Sequence, residues 1–145
     1  MLGPHLTLDL YECNEKLLSN LDFITQVLEE LPDLIGMRKI SKPFVFYYSG
    51  NPNSFDKGGI SAFILIAESH ITIHTFLEQK FASVDIFSCK EFDIAKAEKY
   101  LIEKFGAKKV EKSFLIRGKE FPRNIEKIKK IVLKSRKKLK VSGPC

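Results

Sequence analysis

The chain reads as an α+β protein, a two-layer sandwich in which helices cover one face of a largely antiparallel sheet. Three observations predict it. Strand-like and helix-like segments follow one another as β-α-β-β-β-β-α-β. The middle strands are joined by short breaks, which favours antiparallel pairing over crossovers. The two helical segments place apolar residues at helical spacing, as elements lying on a sheet do.

In order along the chain, His5 to Tyr11 alternates, with Leu6, Leu8 and Leu10 on one side, and predicts a strand. Asn14 is a plausible N-cap for a helix carrying Leu17, Leu21, Ile24, Leu28 and Leu31. Pro32 threatens that helix near its end, and Gly36 is its expected stop. Ile40 to Tyr48 is β-branched and aromatic, and Pro43 suggests an edge strand or a strand start. Ser49 to Gly59 is dense in Gly, Asn, Pro and Asp and predicts a loop. Three strands are expected over Ile60 to Ala67, Ile71 to Phe76 and Phe81 to Phe87. Asp93 caps a helix bearing Ile94, Ala97, Leu101 and Phe105, with Gly106 as its stop, and Val110 to Ile116 offers a last strand.

At 145 residues, with 44% hydrophobic and 29% charged residues, the composition is that of one soluble domain with a real core. No apolar run approaches the roughly 18 residues of a membrane span, and no secretory signal is visible. Cys13, Cys89 and Cys145 are odd in number and far apart, so neither a disulfide framework nor a zinc site is expected; metal binding is not expected. A cytoplasmic protein with reduced thiols is the reading. The net charge of +6 is uneven: from Arg123 onward nine basic residues face Glu126 alone, leaving about −2 on the first 122 residues. The chain therefore divides into a domain over 1–122 and a basic tail over 123–145, expected as an amphipathic helix that frays. The tail's lysines lack interleaved aromatics, so nucleic acid is not its expected partner, and its removal is expected to leave the domain's activity largely intact.

The chemistry concentrates between Ala67 and Cys89. Ser69 stands where an apolar strand ends, and His74, across an expected bend, could approach it as a proton acceptor. Cys89 follows another strand end and could reach the same rim. No G-x-S-x-G elbow is present for a serine hydrolase, and His70 and His74 make a poor start to a zinc site. On spacing alone, hydrogen-bonded scaffolding and catalysis both stay open.

Glu68-Ser69-His70-Ile71-Thr72-Ile73-His74-Thr75, with Asp85-Ile86-Phe87-Ser88-Cys89, resembles the processing site of the prokaryotic S-adenosylmethionine decarboxylases, which are pyruvoyl enzymes. The likeness extends to Tyr11-Glu12-Cys13 and Gly59-Ile60-Ser61, and spans roughly residues 5 to 117. It implies that the chain cleaves itself between Glu68 and Ser69. The Ser69 hydroxyl would attack the preceding carbonyl, Ser61 would hydrogen-bond the resulting intermediate, and His74 would take the Cα proton. Ser69 would end as a pyruvoyl group, whose ketone takes up the electron pair left by departing carbon dioxide. By the same likeness Cys89 is the proton donor, with a thiol pKa near 8.5 in isolation. Glu78 would bind the ribose hydroxyls, Phe55 is a candidate for stacking on adenine, and His70 would support the turn.

The family often has Trp-Pro or Phe-Pro before the glutamate where this chain has Phe76-Leu77, and its loop from Ser49 to Gly59 is longer than in the shortest members. The implied activity is decarboxylation of S-adenosylmethionine, supplying the aminopropyl donor for spermidine and polyamine synthesis. The implied assembly is a homodimer of cleaved protomers. Two alternatives remain beside it: a pyruvoyl-dependent arginine or ornithine decarboxylase, and a non-catalytic protein that binds through its basic tail.

Overall fold

The structure, a computed structural model, describes residues 1–67 and 69–141, with side chains as far as residue 134. Its first strand, β1 (Gly3–Tyr11), buries Leu6, Leu8 and Leu10 and turns His5, Thr7, Asp9 and Tyr11 to the opposite face. The single helix expected from Asn14 is two helices. Asn14 caps α1 (Glu15–Leu18), and Asn20, in extended geometry, caps α2 (Leu21–Leu34) by accepting from the Phe23 amide at 3.0 Å. A cap side chain that holds the amides of a new first turn cannot also continue the old helix. The break has a use: Leu18 turns its carbonyl to the sheet, where the buried Thr75 hydroxyl donates to it at 2.8 Å and accepts from the Ile60 amide at 2.8 Å.

Pro32 lies inside the last turn of α2, which runs two residues past it before Gly36 reverses the chain at φ 74°. The second strand, β2 (Phe44–Tyr48), begins just after Pro43, later than predicted; Lys39 and Ile40 touch the next strand only through an isolated bridge and one amide bond. There follow β3 (Gly59–Ile66), β4 (Ser69–Phe76) and β5 (Phe81–Ser88), then α3 (Ile94–Phe105) and β6 (Lys109–Arg117). Asp93 caps α3 through the Lys96 amide, and Gly106 ends it in the left-handed conformation at φ 62°. The basic helix α4 (Ile125–Val141) leaves Ile125, Ile128 and Val132 exposed.

The six strands lie in the order β2-β3-β4-β5-β1-β6, and every neighbouring pair is antiparallel. Helices α2 and α3 cover one face. Ile24, Leu28 and Leu31 of α2 and Leu101 and Phe105 of α3 meet Leu6, Leu8, Ile64, Ile71, Ile73 and Val84 in one closed core. Among the described residues no helix covers the other face. It carries polar groups from the central strands and a run of partly exposed apolar side chains, Phe44, Phe63, Leu65 and Leu115, with Phe44 and Phe63 stacked at 4.8 Å.

Candidate active site

Ser69 opens β4 at one end of the sheet. Its cross-strand partners are Ile66 on β3 and Ser88 on β5. Cys89 is the next residue after Ser88, so the register brings the thiol-bearing residue beside the serine at the strand ends. Several contacts hold this corner. The buried Ser88 hydroxyl accepts from the Lys90 amide at 2.9 Å and donates to Met37 Sδ at 3.6 Å, while Lys90 Nζ donates to the Gly36 carbonyl at 3.1 Å. Gly3 presses against it from β1, where a Cβ would stand 1.9 Å from the Ser88 carbonyl oxygen and 2.7 Å from Cys89 Cα. Arg123 donates from Nη2 to the carbonyls of Leu2 and Cys89, the latter at 2.7 Å.

Cys13 and Cys89 differ in kind. Burial pushes the Cys13 thiol up to about 11, which keeps it protonated and chemically quiet. Cys89 is only half buried. Glu68, expected on the amino side of the cleavage point, lies outside the described residues.

A second group of predicted residues gathers elsewhere. Ser61 and His74 face one another across β3 and β4, with Ser61 Oγ and His74 Nδ1 3.0 Å apart on the open face. Glu78 lies beyond them, exposed in the turn over 77–80. Phe55, 78% exposed, is anchored through its carbonyl, which accepts from Gln79 Nε2 at 2.9 Å. With Tyr11, Phe76, Gln79 and Phe81 it lines an open aromatic cup. Tyr11 and Phe76 pack on Phe81 at 5.0 and 5.6 Å. Of these rings only Phe55 was singled out from sequence; the others are contributed by three separate strands, which no local pattern reveals.

The expected bend between Ser69 and His74 is absent. β4 runs unbroken from Ser69 to Phe76, so the two residues point to opposite faces and stand about 17 Å apart along the strand. Within one chain, Ser69 and Cys89 therefore make one group of predicted residues, and Ser61, His74, Glu78 and Phe55 another toward the far end of β4.

Between them, on the open face, is a cluster that composition did not announce. His5 Nε2 lies 3.0 Å from Asp85 Oδ1. The Phe87 ring meets His5 at 5.6 Å and His70 at 5.9 Å, with the Arg117 guanidinium 4.3 Å from its centre. His70 thus rests on Phe87 within the sheet, and burial holds its pKa below the ordinary histidine value, helped by its neighbours His5 and Arg117 and opposed by Asp85. Among the described residues, no group of three or more His, Cys, Asp or Glu is arranged to hold a metal ion, and no helix is long and apolar enough to cross a membrane.

The family model described as S-adenosylmethionine decarboxylase matches residues 4–118. An S-adenosylmethionine decarboxylase proenzyme of Clostridium botulinum (strain Langeland) is 37% identical over 118 residues, covering 81% of this chain and 95% of the relative. Another, from Thermodesulfovibrio yellowstonii, is 37% identical over 108 residues, 74% of each chain. The crystal structure of the adenosylmethionine decarboxylase from Aquifex aeolicus superposes with a TM-score of 0.65 at 30% identity, covering 85% of this chain and 95% of that one.

Proposed function

The chain belongs to the S-adenosylmethionine decarboxylase family, and from that premise we propose a proenzyme that cleaves itself before Ser69 and then decarboxylates S-adenosylmethionine for polyamine synthesis. The observation that carries this reading is the register of β4 on β5. It sets Ser69 opposite Ser88, one residue from the half-buried Cys89. A carbonyl group made at residue 69 would thus have an acid beside it, at the end of two central strands rather than sealed in the core.

In the maturation step the Ser69 Oγ attacks the carbonyl carbon of residue 68, and the peptide nitrogen leaves as the amine of an ester-linked chain. Loss of the Cα proton of residue 69 to a base then expels the carboxylate of residue 68. Water replaces the nitrogen, which departs as ammonia. The pyruvoyl group so formed supplies an electron sink. The chain's own residues do the rest. The Cys89 thiol delivers a proton to the substrate carbon that has lost carbon dioxide. The Glu78 carboxylate accepts hydrogen bonds from ribose hydroxyls, and the aromatic cup around Phe55 stacks on adenine. An open aromatic cup whose lining residue Gln79 is next in sequence to the exposed Glu78 suits a nucleoside better than it suits free arginine or ornithine.

The separation of the two groups bears on assembly. His74 cannot take a proton from residue 69 of its own β4 at that separation. A twofold pair that lays the open faces together, its axis running across the strands, sets the His74 end of one chain against the Ser69 end of its partner. The uncovered Phe44, Phe63, Leu65 and Leu115 support such a homodimer. Cleavage makes residue 69 a chain end, free to turn toward that face.

Intact-mass spectrometry of the purified protein tests the cofactor. The expected result is two chains split before residue 69, the second bearing a pyruvoyl mass, and a single uncleaved chain for Ser69→Ala. Carbon dioxide release is then measured with S-adenosylmethionine, arginine and ornithine in turn. Release from arginine or ornithine alone would overturn the substrate assignment.

A further inference from the structure

The segment that follows β6 lies beyond the match to the family model, which ends at residue 118, yet it returns to the Ser69 corner. Gly118, at φ 58°, reverses the chain so tightly that a Cβ there would stand 2.6 Å from Leu2 Cβ. The Leu2 amide donates to the carbonyls of Arg117 at 2.9 Å and Gly118 at 3.0 Å, and Phe121 closes the turn with its amide on Gly118 at 2.9 Å. The terminal ammonium of Met1 reaches the Phe121 carbonyl at 3.4 Å. The turn delivers Arg123 to a spot where one guanidinium nitrogen donates to both Leu2 and Cys89 carbonyls.

Cys89 needs such a grip. It is the first residue past β5 and so falls outside the β1–β5 and β4–β5 ladders. The residue before it is held by the sheet, and the amide after it by Ser88 Oγ. Its carbonyl is held by Arg123. With the preceding residue held by the sheet and the following peptide plane held through both its amide and its carbonyl, the two Cys89 backbone torsions are fixed, and with them the direction in which the Cα–Cβ bond carries the thiol. A proton donor must be held to within a fraction of an ångström of its target to be effective.

We propose that Arg123 is a positioning residue for the Cys89 thiol, so that the C-terminal segment outside the family match contributes to turnover through this one clamp. The inference rests on the reading of Cys89 as the proton donor. It also reverses, for Arg123, the expectation that the segment from residue 123 onward is dispensable.

The test compares the full-length protein with R123Q, R123K and C89A. Three quantities are measured: the extent of self-cleavage by intact mass, kcat and KM for carbon dioxide release, and the pH dependence of iodoacetamide alkylation at Cys89. Alkylation is read by peptide mass, with buried Cys13 as the slow reference. R123Q, altered at an exposed side chain, is expected to cleave itself as the parent does. It should lose about tenfold in kcat with KM within about twofold, and show a shifted Cys89 alkylation profile. R123K, which keeps a cationic donor on a shorter side chain, should recover part of the kcat and of the parental profile. An R123Q protein with the parent's kcat and alkylation profile would overturn the proposal. So would one that no longer folds or cleaves, since that would make Arg123 an anchor of the fold. Normal turnover by C89A would instead remove the role given to Cys89, whereas the alkylation profile would still report whether Arg123 orients the thiol.

Discussion

A methyl group added at residue 3 has nowhere to go: the Ser88 carbonyl oxygen would be 1.9 Å from it and Cys89 Cα 2.7 Å. Gly3→Ala should therefore push β1 and the end of β5 apart. A loss of about 2 kcal/mol in urea unfolding is expected, together with a fall in turnover larger than that loss of stability explains. Ser61 and His74 behave oppositely, because both are exposed on the open face. Ser61→Ala and His74→Ala should leave stability within about 0.5 kcal/mol of the parent while slowing self-cleavage by about a hundredfold, measured as the rate of appearance of the split chains by mass. The reactive residue types were legible in the sequence, because Ser69, His74 and Cys89 stand in a recognisable block. Their separation into two groups at opposite ends of β4 was not. Whether a strand bends between residues 69 and 74 depends on the strands that flank it, and here β3 and β5 hold β4 straight over its whole length.

Among the elements, the helices show most clearly what a sequence pattern hides. Leu17, Leu21, Ile24, Leu28 and Leu31 keep helical spacing across the break at residues 19 and 20, so the pattern alone does not reveal it, whereas in the structure Leu18 is the buried residue of α1 and Leu21 is exposed. The distinguishing signal was Asn20, a capping side chain in mid-pattern. Asn20→Ala should cost about 1 kcal/mol of stability, measured by thermal unfolding. The contact between α2 and α3 has a pH signature. Glu30 meets Lys104 Nζ at 2.9 Å, the Tyr100 hydroxyl at 2.7 Å and Gln26 Nε2 at 2.6 Å. Lys104 first, then Tyr100 and Gln26, hold its carboxyl down to about 2 from an ordinary 4.5. A depressed carboxylate pKa favours folding above the unfolded value and ceases to do so as pH falls through the folded one. Glu30→Gln should thus be less stable than the parent at pH 7, and the gap should close between about pH 4.5 and pH 2, as read from urea midpoints across that range. The strands were the most legible elements, since Leu6, Leu8 and Leu10 announce their face by alternation alone; β2 began late because Pro43 has no amide to give.

At the scale of the whole molecule, one sheet face is sealed by helices and the other is bare. Fold class and its one-sided covering followed from the order of elements, but which apolar side chains lie on the bare face did not, because Phe44 and Phe63 look like core residues in the sequence and are partly exposed on the side away from the helices. Phe63→Asp should dissociate the proposed dimer, seen as a halved mass in sedimentation, and depress self-cleavage along with it if each His74 serves its partner's Ser69. Strand order carries a further consequence. The proposed cut falls in the β3–β4 connection, so β1, β2 and β3 go to one fragment and β4, β5 and β6 to the other. Yet β1 is threaded between β5 and β6, while β3 flanks β4. The fragments are interleaved, joined along three ladders, and cannot come apart without dismantling the sheet. Before the cut, a melted sheet has its strands tethered and can zip up again as a single chain; afterward the same weave must be rebuilt by two molecules meeting in solution. Maturation would thus make folding a journey taken once: uncleaved Ser69→Ala should recover its signal on cooling, and the mature protein should recover less as it is diluted.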